Sequence, residues 1–142
     1  MTALVDTGPL VSAFARREKR FKGWAEKVLA SCPIPLVTCE AVLTEACHLL
    51  ASPGPLLEAV ERRLIVCPFD LEESAGEVRW LMQKYRDQPM DLADACLVHL
   101  YGTYRSGTAK VVTVDRKDFS VYRTRSGQGV DCLFPEAGEG CF

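Results

Sequence analysis

A chain of 142 residues with 48% apolar and 25% charged residues has the composition of an ordinary globular domain and is long enough to bury a sizeable core. No apolar run approaches the roughly 20 residues of a membrane span, and no basic region leading into a long apolar stretch opens the chain; a cytoplasmic protein with no membrane partner is expected. The net charge of −2 argues against a protein that coats nucleic acid regardless of sequence, but not against an enzyme that meets it through a local basic patch.

Residues 3–6 read as a short buried strand that delivers Asp6 at its end. A helix then starts at Gly8-Pro9, with proline suited to the first turn, and carries Leu10, Val11 and Phe14 into the basic stretch 16–20. Phe21, Trp24, Val28 and Leu29 place a second helix over 21–31, which Pro33 and Pro35 end, and Leu36-Val37 is a very short strand. Residues 39–51 are strongly helical, with Val42, Ala46, Leu49 and Leu50 on one stripe. A short helix at about 56–62, a strand at 64–69 and an amphipathic helix over 71–86 come next. The helix 91–105 is apolar nearly all round and therefore central. Residues 109–115 are a continuous apolar strand of the kind buried in parallel sheets, 129–134 are a fifth candidate strand, and PEAGEGCF (135–142) reads as a loose tail. Strands alternating with helices predict an α/β domain with a central parallel sheet of four to five strands flanked by helices and right-handed crossovers.

The seven cysteines, Cys32, Cys39, Cys47, Cys67, Cys96, Cys132 and Cys141, are odd in number and lack CxxC or paired Cys/His spacing. Several lie inside apolar patterns. They read as buried free thiols in a reducing compartment, and a zinc site lacks its ligand spacing.

The acids carry more information. Ligand sites in parallel α/β sheets lie beyond the carboxyl ends of the strands. Asp6 ends the first strand and Asp115 the fourth. Glu45, two turns into its helix, flanks the Val42/Leu49 stripe, and Asp91 and Asp94 share a helix face with Val98. Taken singly, each has a plain alternative: Asp6 and Asp91 as helix caps, Asp94 as a first-turn acid favoured by the helix dipole, Asp115 as a turn residue. Taken together, carboxylates converging on one sheet edge repel, and a divalent cation keeps them ionised most economically. Hard oxygen donors without a His/Cys set point to Mg²⁺ or Mn²⁺. The tripeptide Asp6-Thr7-Gly8 also carries the catalytic aspartate of aspartic proteases, but there it sits in a β-turn of an all-β fold. A phosphotransferase with an aspartyl nucleophile would usually carry a second Asp where Gly8 stands.

The stretches LVDTGPLVSAF, TCEAVLTEACHLL, PMDLADACLVHL and VVTVDRKDFSVYR together resemble the PIN domain, most closely the VapC-type ribonuclease toxins of bacterial type II toxin–antitoxin pairs. The resemblance covers nearly the whole chain and implies one PIN-like nuclease domain over 1–134, with the tail 135–142 outside it. It further implies a catalytic set of Asp6, Glu45 (rather than Glu40), Asp94 and Asp115, with Mg²⁺ or Mn²⁺ held by Asp6, Asp94, Asp115 and, as an auxiliary ligand, Asp91. Thr7 and Thr113 would support the ligands or their waters, and Asp118 is structural. RNA would be hydrolysed by metal-assisted attack of water, without a nucleophilic side chain. Arg116, Lys117, Arg123 and Arg125 are candidates for holding RNA phosphates, with the stretch 16–20 as a second candidate. His48 and His99 read as structural. The family often dimerises and is inhibited by a small antitoxin protein; Phe14, Phe21 and Trp24 are candidate partner contacts, as they would be if the chain were a nonenzymatic interaction module. A PIN nuclease of RNA processing is the other alternative.

Overall fold

The computed structural model describes residues 1–17 and 19–136. Five parallel strands form one sheet in the order β3-β2-β1-β4-β5. They are β1 (Thr2–Val5), β2 (Leu36–Val37), β3 (Ile65–Val66), β4 (Ala109–Val112) and β5 (Cys132–Leu133). The helices are α1 (Thr7–Phe14), α2 (Lys22–Ser31), α3 (Glu40–Leu49), α4 (Gly54–Glu61), α5 (Leu71–Lys84), α6 (Leu92–Gly102) and α7 (Arg116–Phe119). The α/β class and the parallel central sheet are as the alternating pattern predicts.

The sheet centre is apolar because it is covered. Ala3, Leu4 and Val5 of β1 and Val111 and Val112 of β4 are buried, as a strand with helices over both faces requires. The central helix α6 buries Ala95, Cys96, Leu97 and Val98 together, which accounts for its lack of a polar face. No helix among the described residues is long and apolar enough to cross a membrane.

The strand order positions the site. From β1 the chain builds outward to β2 and β3, then returns across the sheet to place β4 on the other side of β1. The order therefore reverses between β1 and β4, and the crevice beyond their carboxyl ends is where an open α/β sheet binds ligands. The register is fixed by Leu4 opposite Val111 and Val5 opposite Val112.

Several boundaries differ from expectation, each for a local reason. The run 64–69 contributes only Ile65–Val66, because its sole neighbour β2 is itself two residues long and Pro68 has no N–H for a ladder. The run 109–115 ends as strand at Val112, and 129–134 yields only Cys132–Leu133, the two residues that pair with Val111 and Val112. The helix expected from 91 starts at Leu92 because Asp91 caps it. The helix expected at 56–62 begins at Gly54, with Pro55 in the first turn where its missing N–H is no loss. The short helix α7 was not anticipated. Leu49 is 56% exposed rather than part of the core stripe of α3, which continues instead through Val42, Ala46 and Leu50. Trp24 is not a free surface: it is buried in the core, with Phe14 and Phe21 packed against that core. The described cysteines are all free, with Cys32, Cys39 and Cys96 buried. Cys141, like the rest of the tail from 137 on, lies outside the described residues.

Gly8 is required by close approach. A Cβ at this position would sit 2.6 Å from Cγ2 of Val114, in the segment joining β4 to α7. Gly8→Ala is expected to destabilise the fold by about 1–3 kcal/mol through this overlap. Adding Val114→Ala should recover part of the loss. Thermal unfolding of the two proteins checks it, and equal melting of wild type and Gly8→Ala would show that Val114 yields freely.

Candidate active site

The register of β1 and β4 carries straight into the site. One residue past each strand, Asp6 stands beside Thr113, whose Oγ1 donates a 2.7 Å hydrogen bond to Asp6 Oδ2. The same Thr113 oxygen accepts from the backbone N–H of Asp115 at 3.0 Å. One hydroxyl thus couples the end of β1 to the turn that carries Asp115. Asp6 occupies the cap position of α1 but makes no side-chain capping bond. Burial pushes its carboxyl up to about 6, aided by the charges of Glu45 and Asp115, while the Thr113 hydroxyl and the Thr7 N–H oppose the rise. Asp6 is almost fully buried amid like charge, caps no helix and forms no ion pair among the described residues.

Asp94 is the second such group. It lies in the first turn of α6, half-buried, and its Oδ2 accepts a 3.0 Å hydrogen bond from the Tyr122 hydroxyl. Burial pushes Asp94 up to about 8, with Asp91, Asp6 and Asp115 adding to the rise and Tyr122 restraining it. Tyr122 is fully buried, stacked edge-on between Tyr85 and Phe119 with ring centroids 5.2 Å away in each case. Sequence reasoning missed it; the available signal was an aromatic pair three apart in DFSVY, just after a site aspartate.

Asp91 and Asp115 have capping duties. Asp91 Oδ1 accepts from the N–H of Asp94 at 2.8 Å, and Asp115 Oδ1 from the N–H of Asp118 at 3.0 Å. Each commits one oxygen to a helix N-terminus. Glu45 is exposed and makes no hydrogen bond to the other acids, but its charge reaches Asp6. It shares a groove of about 510 Å³ with His48, Asp91, Leu92 and Ala93. The Thr7 hydroxyl is buried without a hydrogen-bond partner and so bonds no carboxylate. His99 packs edge-on against Phe69, away from this set.

The expected phosphate contacts divide. Arg116 is exposed; its guanidinium donates to the Pro135 carbonyl at 3.2 Å and lies over the Phe134 ring at 4.5 Å. Arg123 donates to the Gly127 carbonyl at 3.1 Å, and its backbone N–H is held by the Tyr85 hydroxyl at 2.7 Å. Lys117 is exposed, as are the described residues Arg16, Arg17, Lys19 and Arg20.

The donors suit a divalent cation by chemistry: they are hard carboxylate oxygens, two of them on groups whose charge burial opposes, beside an unpartnered buried hydroxyl. Among the described residues no three acidic, histidine or cysteine side chains already form a closed cage, so an ion would draw the carboxylates together.

The fold and this crevice define a parallel α/β domain with acids gathered at its topological switch point. The family model described as PIN domain matches residues 3–124, and the chain belongs to that family. PIN domains are generally nucleases and typically use divalent metal ions. No curated protein matches the chain.

Raised carboxyl values make stability depend on pH in a definite direction. Between the unfolded value near 4 and the folded values of about 6 for Asp6 and about 8 for Asp94, the native state holds protons that the unfolded chain has released. Metal-free protein should therefore lose stability as pH rises through this window, at about 1.4 kcal/mol per pH unit for each group in transition. Asp94→Asn should flatten the decline above pH 6. Melting temperatures in chelator from pH 4 to 8 test this, and a wild-type Tm that climbs toward pH 8 would contradict it.

Proposed function

We propose that the protein is a Mg²⁺- or Mn²⁺-dependent endoribonuclease, the toxin of a bacterial type II toxin–antitoxin pair of the VapC kind. The observation that carries the reading is the buried Asp6 carboxyl, which caps no helix and instead meets Thr113 amid the charges of Glu45 and Asp115. Asp6, Asp94 and Asp115 would hold the ion, with Asp91 auxiliary and Glu45 completing the catalytic set. When bound, the ion supplies Lewis acidity toward water and toward the charge that develops on a phosphodiester.

The chain's own groups provide positioning. Thr113 fixes one oxygen of Asp6 and, through its other bond, the backbone of Asp115. Tyr122 fixes one oxygen of Asp94 from a rigid aromatic stack. The groove lined by Glu45 and Asp91 offers the RNA strand a place beside the acids, and exposed Lys117 can meet a phosphate. No serine, cysteine or histidine is needed as nucleophile. The toxin assignment rests on the four sequence stretches that resemble VapC-type proteins, and with it come a small cognate antitoxin, a homodimer and a cytoplasmic setting. Burial of Trp24 in the core removes one motive for a partner on α1 and α2.

Purified protein should cleave RNA in Mn²⁺ or Mg²⁺ and lose that activity in excess chelator. Asp6→Asn should reduce cleavage by orders of magnitude and abolish the melting-temperature gain from Mn²⁺, with metal-free stability unchanged or raised. Glu40→Gln, an exposed control at the start of α3, should change little. An Asp6→Asn protein that melts early without metal and still cleaves would identify Asp6 as structural. For the toxin role, the decisive observation is a small neighbouring reading frame whose product co-purifies with this chain and silences it.

A further inference from the structure

We propose that Trp80 on α5, with Arg79, Lys84 and Arg125 about it, is a stacking platform for one base of a single-stranded RNA substrate. The proposal rests on the ribonuclease function proposed for the acidic crevice and names the strand that site would take.

The indole is half-buried, and two cations lie over its ring. The Arg125 guanidinium lies 4.8 Å from the Trp80 ring centroid and the Lys84 ammonium 5.3 Å. Glu77 holds Arg125 in place through a 3.0 Å ion pair, so that cation is ordered in advance, and Arg79 enters no ion pair among the described residues. An aromatic ring flanked by arginine and lysine is the chemistry that binds single strands: the ring takes a base face and the cations take phosphates.

Gly76 supplies an independent indication. It lies one turn before Trp80, beneath the surface that a helical side chain at position 80 leans over. A glycine inside a helix costs about 1 kcal/mol relative to alanine. Here nothing in the fold requires it: its φ is not in the left-handed region, and a Cβ would meet no atom within 4 Å. What the missing side chain does provide is an open groove of about 380 Å³ bounded by Gly76, Trp80 and Arg125.

Neighbouring grooves share walls with it. Its ridge of Arg79 and Gln83 also walls a second groove of about 400 Å³, which ends on Leu92. Leu92 in turn walls the groove of about 510 Å³ that contains Glu45 and Asp91. The segment bearing Arg125 is tied to the same centre, since Tyr122 bonds Asp94 and Tyr85 holds the Arg123 N–H. A base seated on Trp80 is thus joined to Asp94 through the segment that carries Tyr122, Arg123 and Arg125.

The test titrates the metal-free protein with a short single-stranded RNA, reading tryptophan fluorescence. Trp24 is buried, so quenching reports Trp80. Strong quenching is expected with the single strand and little with the same strand annealed to its complement. Trp80→Ala should weaken binding about tenfold, and Trp80→Phe should retain most of it. Gly76→Leu fills the groove while improving helix propensity. It should melt no lower than wild type yet bind as weakly as Trp80→Ala. Arg79→Ala should reduce the slope of log affinity against log salt by about 0.7. In Mn²⁺, Trp80→Ala and Gly76→Leu should raise KM with kcat nearly unchanged. Wild-type affinity in both variants, or equal quenching by duplex, overturns the platform while leaving the nuclease reading intact. Failure of the wild type to cleave any RNA overturns the nuclease reading, and the chelator titrations still decide the platform.

Discussion

The arrangement depends on one hydrogen bond, from Thr113 to Asp6. Parallel pairing of β1 with β4 sets position 6 against position 113, so the carboxylate and the hydroxyl meet as a consequence of strand register. A buried carboxyl needs a donor, and a hydroxyl that also accepts from a backbone N–H can turn its only proton toward it. The same geometry constrains the residues immediately after Asp6. α1 starts at once, at Thr7, and passes so close to Val114 that position 8 has no room for a side chain. The Asp-Thr-Gly tripeptide is thus explained by three separate demands: a carboxylate for the crevice, the first turn of α1, and a close approach between segments.

Helix N-termini make this concentration of acid tolerable. α1 begins directly after Asp6 and α6 directly after Asp91, so the positive ends of two helices face the carboxylates. Asp91 and Asp115 use one oxygen each for capping and so serve the fold while adding charge to the site. Reading these residues as either caps or ligands poses a false choice, because a carboxylate has lone pairs enough for both. Asp6 differs in holding a cap position without making the capping bond. It is therefore the residue on which a structural and a chemical role separate most cleanly.

What the sequence made legible was what periodicity governs: the alternation of strand and helix, the apolar central strands, and an α6 without a polar face. The acids were also legible, because a strand-end rule and a helical wheel locate Asp6, Glu45 and Asp94. Strand lengths were not, since a ladder is only as long as its shorter partner, and the two-residue β2 limits β3 whatever LIVCPF suggests. Nor were the roles of the arginines. Arg116 and Arg123 lie soon after Asp115 in sequence, yet a ring and two carbonyls contact them; Gly127 is a turn away from Arg123, but only the folded chain brings Phe134 and Pro135 to Arg116. Thr38 escaped for the same reason: its hydroxyl bonds the Val5 carbonyl across 33 positions, and no local pattern announces such a contact.

In the proposed nuclease, an acidic crevice has a polyanion to attract. The charge of −2 offers no general pull, and salt at physiological strength screens exposed charges beyond about 8 Å. Attraction must then be local. Around the acids, Lys117 is exposed, and Arg116 and Arg123 each donate one bond to a backbone carbonyl. Farther along the surface, Arg79, Lys84 and Arg125 gather at α5. Separating the cations from the carboxylates has a physical advantage. Arginines placed among Asp6, Asp94 and Asp115 would neutralise them as ion pairs and compete with any divalent ion for the same oxygens. Held at a distance, they would act on a strand without weakening the charge that the proposed cation needs.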